Sequence, residues 1–200
     1  SESNNDNFDS DKGNLEQNSS VSLSKNETIV QKNGWVAENG FEYYFENGLA
    51  HTGWLVTDTR GDGLQRYWFN SDGTLAKNRI ISASEAGYAA YATANGWIAR
   101  GKVITADGSI YLADNDGKLA DPGWVCTSAF DGGMQRYWIQ DDHTARTGFF
   151  QVDGAWYHGD TNKGYVVRGK IPYGSSFMLA FDDGKLADPG WVCTSAFDGG

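Results

Sequence analysis

Little in this 200-residue sequence is spaced for covalent chemistry. His51, His143 and His158 show none of the spacing a metal site requires. No Ser/His/Asp or Cys/His set keeps phase with the rest of the chain. Asp and Glu abound, but a paired-carboxylate hydrolase needs one deep cleft. Asp114-Asn115-Asp116-Gly117 resembles part of a calcium loop, yet it lacks the distal Glu that completes an EF-hand. Turn chemistry accounts for those acids instead. Cys126 and Cys193 occupy equivalent positions, where an earlier copy has Val56. They are expected to be unpaired, mostly buried thiols, because a disulfide needs Cα atoms within about 7 Å. No catalytic residue, metal or cofactor is expected. What remains is aromatic: 8 Trp, 10 Tyr and 10 Phe.

These rings recur in register. GKLADPGWVCTSAFDGG occurs verbatim at Gly117–Gly133 and Gly184–Gly200, and Gly48–Thr74 is a diverged copy. The Gly-Trp pairs ending at Trp54, Trp124 and Trp191 lie 70 and 67 residues apart. Such self-similarity marks a repeat architecture. Each long period divides into about three hairpin-like units. Asn-Gly and Asp-Gly pairs, as at Asn39-Gly40, Asp72-Gly73, Asn95-Gly96, Asp116-Gly117, Asp153-Gly154 and Asp183-Gly184, suit tight turns that need positive φ. Between them lie aromatic runs such as Arg66-Tyr67-Trp68-Phe69 and Ala155-Trp156-Tyr157. Strand alternation puts Tyr67 and Phe69 on one face and Trp68 on the other, one face being core. About seven hairpins and part of an eighth are expected. The fold class is all-β: a solenoid of stacked hairpins, three to a long repeat, whose buried surface is aromatic.

Composition narrows the partners. With 16 basic and 26 acidic residues the net charge is −10, and no Lys/Arg cluster is present, which argues against nucleic acid. No apolar run approaches the roughly 18 residues that span a bilayer, so membrane insertion is not expected. Residues 1–33 are polar, lack Trp and Tyr, and read as a disordered leader or linker. The array is assigned to 34–200 and stops mid-unit, so a longer protein is expected, with any targeting peptide outside this sequence.

Gly34-Trp35-Val-Ala-Glu-Asn-Gly-Phe-Glu-Tyr-Tyr-Phe-Glu-Asn-Gly-Leu-Ala-His-Thr-Gly-Trp54 resembles the cell-wall-binding repeat superfamily of Gram-positive surface proteins. Its members include choline-binding, glucan-binding and clostridial-toxin repeats. The resemblance implies a superhelix of hairpins with ligand sites between successive units. It further implies a secreted or cell-surface location and a partner such as wall or surface polysaccharide, or choline. The candidate ring platforms are Trp35, Tyr43, Trp54, Tyr67, Trp97, Trp124, Tyr137 and Trp191. Choline binders usually carry Trp first in the aromatic triplet; here that place reads Glu42, Arg66, Ser109, Arg136, Ala155 and Ser176. The missing wall favours a glycan, with Glu42, Gln65, Arg66, Gln135 and Arg136 as hydrogen-bonding groups. The function expected is therefore a non-catalytic, multivalent binding module. A ligand-free stalk and a toxin-type receptor-binding repeat are the alternatives, and oligomeric state is left open.

Overall fold

The computed structural model describes residues 31–190, so the expectations for Trp191, Cys193 and the leader through residue 30 lie outside the described residues. Seven antiparallel hairpins follow one another, here called units 1 to 7. They are β1 (Gly34–Glu38) with β2 (Phe41–Glu46), β3 (Leu49–Ala50) adding to β2; β4 (Gly53–Thr57) with β5 (Gln65–Phe69); and β6 (Arg79–Ile81) with β7 (Ala90–Ala92). Next come β8 (Gly101–Ile104) with β9 (Ile110–Ala113), and β10 (Gly123–Thr127) with β11 (Gln135–Ile139). The last two are β12 (Gly148–Val152) with β13 (Ala155–Gly159), and β14 (Gly169–Tyr173) with β15 (Ser176–Ala180). A short helix, α1 (Ala83–Ala86), sits in the unit 3 loop with a Ser82/Glu85 capping box. The helix is far too short to cross a membrane, and no described helix is long and apolar enough to do so.

The long period is explicit in the pairing. Gly53↔Phe69, Trp54↔Trp68 and Leu55↔Tyr67 in unit 2 match Gly123↔Ile139, Trp124↔Trp138 and Val125↔Tyr137 in unit 5. Three hairpins therefore make one long repeat. The turn assignments need correction. Asn39-Gly40 (φ 53° and 81°) and Asp153-Gly154 (φ 50° and 78°) do close two-residue hairpins. Asp72-Gly73, Asn95-Gly96, Asp116-Gly117 and Asp183-Gly184 instead follow the second strand and turn the chain into a linker.

That linker holds the stack together. Leu75, Ile98, Leu119, Ala145, Val166 and Leu186 each donate an N–H to the preceding unit. Their acceptors are the carbonyls of Glu42, Arg66, Ala89, Ile110, Arg136 and Trp156, at 2.6–2.8 Å. The next residue donates back to its own hairpin, as Ala76 does to Trp68 at 2.9 Å. One residue thus joins the neighbours and the following one completes the local sheet, so every unit leans on the unit before it. The turn glycine matters here. A Cβ added at Gly73 would lie 2.8 Å from the Ala50 Cβ, and one at Gly96 would overlap Leu75.

The core is less aromatic than the composition suggests. Tyr67, Phe69 and Tyr137 are fully buried, but so are Ile81, Ile98, Ile110, Leu119, Ile139 and Val166. Few aliphatics suffice because the linker and second strand place them where units meet. Alternation is obeyed: Tyr67 and Phe69 are core, whereas Trp68 is half-buried. Cys126 contradicts its expectation, being a free but exposed cysteine. Its counterpart Val56 is 52% exposed, so Val at this place is no mark of burial. Strand pairing sets Val56 opposite Arg66 and Cys126 opposite Arg136, on the outward side of the hairpin.

Candidate functional site

Three ring sets form where consecutive units meet. Trp35 lies 5.4 Å from Tyr44 on its own hairpin and 4.9 Å from Tyr67 on unit 2. Trp54 meets its strand partner Trp68 edge-on at 5.0 Å and stacks on Tyr88 of unit 3 at 5.2 Å. Trp124 meets Trp138 at 5.1 Å and Tyr157 of unit 6 at 4.9 Å. In each set the tryptophan and its cross-strand ring come from one unit and a tyrosine from the next. Each tyrosine therefore belongs to the neighbour and joins the set only through stacking.

The candidate platforms divide accordingly. Trp35, Tyr67 and Trp97 come together in one cluster around Phe69 and Leu75. Trp54 and Trp124 anchor the other two sets. Tyr67 and Tyr137 present no surface at all and are corrected to core residues. Tyr43 sits apart, 6.0 Å from Phe45. Trp68, Tyr88, Trp138 and Tyr157 were not singled out as platforms. Their signal was the register itself, since Trp68 and Trp138 face Trp54 and Trp124 across the ladder.

Every one of these ring sets already holds a cation. The Arg136 guanidinium carbon lies 3.6 Å from the Trp124 ring centre and 5.8 Å from Tyr157. Arg60 lies 4.4 Å from Trp35, and Arg66 lies 5.8 Å from Trp54. Each such contact is worth about 0.5–2 kcal/mol. The hydrogen bonds of these arginines are internal. Arg66 Nη1 donates to the Tyr88 hydroxyl (2.7 Å) and the Asp116 carbonyl (2.6 Å), and Arg136 Nη1 to the Asp183 carbonyl (2.7 Å). Arg60 Nη2 donates to Glu42 Oε1 at 2.5 Å, and Lys77 pairs with the other Glu42 oxygen. Gln65 and Gln135 accept from Arg100 and Arg168. The polar groups expected to meet sugar hydroxyls thus serve as clamps between units.

An open groove lies farther along, over units 6 and 7. It encloses about 610 Å³, bordered by Phe149, Trp156, Tyr173, Phe177 and Met178, with its described lining running to Gly190. Among the described residues Trp156 is 51%, Tyr173 60% and Phe177 52% exposed, and no cation lies over Trp156 or Tyr173. Phe149 meets Tyr173 edge-on at 5.8 Å. Lys170 Nζ lies 4.0 Å from the Phe177 ring centre. Pairing also corrects the triplet comparison. Gln151↔Trp156 is the counterpart of Val56↔Arg66, so the place holds Glu42, Arg66, Ile110, Arg136, Trp156 and Phe177. Ser109, Ala155 and Ser176, expected at that place, stand one residue before it. A ring wall is therefore present in the last two units.

An ionic cluster with side chains only 14% and 9% exposed ties unit 4 to the unit 5 loop. Lys102 Nζ donates to both Asp131 oxygens at 2.7 and 2.6 Å and to the Lys163 carbonyl at 2.8 Å. The Tyr137 hydroxyl donates to the same carboxylate. Burial by itself would raise the Asp131 pKa, but the hydrogen bonds from Lys102 and Tyr137 and the Lys102 charge hold it below the ordinary value. Burial, then Asp131, pushes the Tyr137 hydroxyl far above its ordinary range. The paired, saturated geometry is that of a structural clamp.

No protein-family profile matches the sequence, and no curated protein matches it. Solved structures do. Choline binding protein F from Streptococcus pneumoniae, crystallised in the presence of a peptidoglycan analogue, aligns with 80% of this chain at 21% identity and a TM-score of 0.60. CbpJ from Streptococcus pneumoniae TIGR4 aligns with 84% at 19% identity and a TM-score of 0.59. The chain spans about half of each, 54% and 55%. Stacked hairpins, a three-unit period and rings at the unit junctions thus give this chain a fold like that of choline binding protein F and CbpJ.

Proposed function

We propose that this chain is a non-catalytic binding module that holds a secreted bacterial protein to a neutral wall or surface glycan. Its site is the aromatic groove of units 6 and 7. One observation carries the reading: the rings of Trp156 and Tyr173 are exposed with no cation over them, while the Trp35, Trp54 and Trp124 sets are occupied by arginines. An open groove of this size with few polar groups suits a flat, partly apolar ligand such as a sugar ring. Lys170 on the Phe177 ring weighs against a quaternary ammonium in the same place, because like charges repel. The neighbouring fold of a choline binding protein crystallised with a peptidoglycan analogue supports a wall-directed ligand. Several such grooves in a longer array would add by effective concentration.

The test is intrinsic fluorescence titrated with dextran, purified wall and choline. Saturable quenching by glycan or wall is expected, and Trp156→Ala should weaken it at least about tenfold. Quenching by choline alone would overturn the glycan assignment. Silence towards all three would leave the ligand-free stalk as the better reading.

A further inference from the structure

The Trp124 set has the makings of a cation cage: Trp124, Trp138 and Tyr157 converge at 5.1 and 4.9 Å. Its cation belongs to the chain, since the Arg136 guanidinium carbon is 3.6 Å from the Trp124 ring centre. A hydrogen bond to the Asp183 carbonyl, two units ahead, holds the other side of that guanidinium. The arrangement recurs at Trp54, where Arg66 reaches the Asp116 carbonyl. At Trp35 the corresponding strand residue is Glu42, an acid, and the cation arrives from elsewhere. Glu42 binds Arg60 of the next unit's loop and holds it over the indole. An arginine thus reaches the tryptophan from two different places in the repeat.

We propose that Arg136 is a built-in ligand of the Trp124 ring set and sets its specificity, closing that ring set to quaternary ammonium compounds. This rests on the reading of the array as a ligand-binding module and adds which ligand one ring set refuses. A tethered cation competes at an effective concentration in the millimolar range or above, and a free cation gains the same contact only by displacing it.

The experiment uses the full chain carrying Trp156→Ala, which removes the open groove from the signal. Choline chloride is titrated against sodium chloride of equal ionic strength, with tryptophan fluorescence as readout. The parent should not respond. Adding Arg136→Ala should produce saturable quenching, with choline affinity raised at least about tenfold. Arg136→Gln, which keeps a polar side chain without the charge, should do the same, and Trp124→Phe should abolish the response. Two results overturn the proposal: both Arg136 variants stay blind to choline with far-UV circular dichroism unchanged, or the parent already responds through Trp124. Failure of the glycan reading would show separately, as an unaltered chain indifferent to dextran and wall.

Discussion

Units 2 and 5 share one frame and put different chemistry on it. Their strands pair identically, 70 residues apart, and both carry a Gln-Arg-Tyr-Trp second strand. Their seven-residue loops, 58–64 and 128–134, each reach back to the preceding unit, and there they part. The unit 2 loop meets Trp35 and offers it Arg60. The unit 5 loop meets Lys102, which stands where unit 1 has Trp35, and offers it Asp131. Each loop supplies the partner its neighbour lacks, a cation for an indole or an anion for an ammonium. In a linear stack the hairpin is generic and the junction is specific.

The two junctions should fail by different amounts. Lys102 and Asp131 side chains are only 14% and 9% exposed. Asp131→Ala would leave a buried lysine uncompensated, and a loss of about 3 kcal/mol is expected by denaturant unfolding. The pH sign follows from the depressed Asp131 pKa. The contribution is complete above the ordinary carboxylate value of 3.8 and is lost as pH falls below it through the folded-state value. Asp131→Asn should flatten that acid limb; an unchanged limb would place the acid sensitivity elsewhere.

A second contrast lies one turn later. Gly73 (φ 82°) and His143 (φ 66°) hold the same place in units 2 and 5. Gly73→Ala combines a left-handed backbone with an overlap on Ala50, and should cost about 2 kcal/mol. His143 already bears a side chain there, its Nδ1 hydrogen-bonded with the Ala120 carbonyl at 2.9 Å. His143→Ala should cost about 1 kcal/mol, the worth of that bond. Equal losses in thermal unfolding would mean that the two turns bear on their neighbours alike.

An effect as small as that of His143→Ala is expected at the cation–ring junction. Arg60→Ala should lower stability by about 1 kcal/mol and alter Trp35 fluorescence, since Glu42 retains Lys77. A loss as large as that of Asp131→Ala would show that the arginine, too, is a principal clamp.

Much of this was legible from residue types. Gly-Trp spacing announced the three-unit period, and alternation predicted that Tyr67 and Phe69 share a face. The turn pairs, however, differ from the strand register by one residue in units 4, 6 and 7. Motif matching puts Ala155 where pairing puts Trp156. A slip of one residue exchanges the faces of a strand. Val56 and Cys126 differ from expectation for a related cause: a small apolar residue fits either face, and only pairing says which.

What the sequence determines by itself is the hairpin. Positive-φ turns, β-favouring rings and their periodic return are local properties, written in adjacent residues. What the tertiary structure decides is which rings remain available. That depends on contacts 22 to 61 residues apart, such as Arg66 on Tyr88 or Lys102 on the Lys163 carbonyl. An arginine reads the same in sequence whether it reaches solvent or caps an indole, because the difference lies in what the next unit brings beside it.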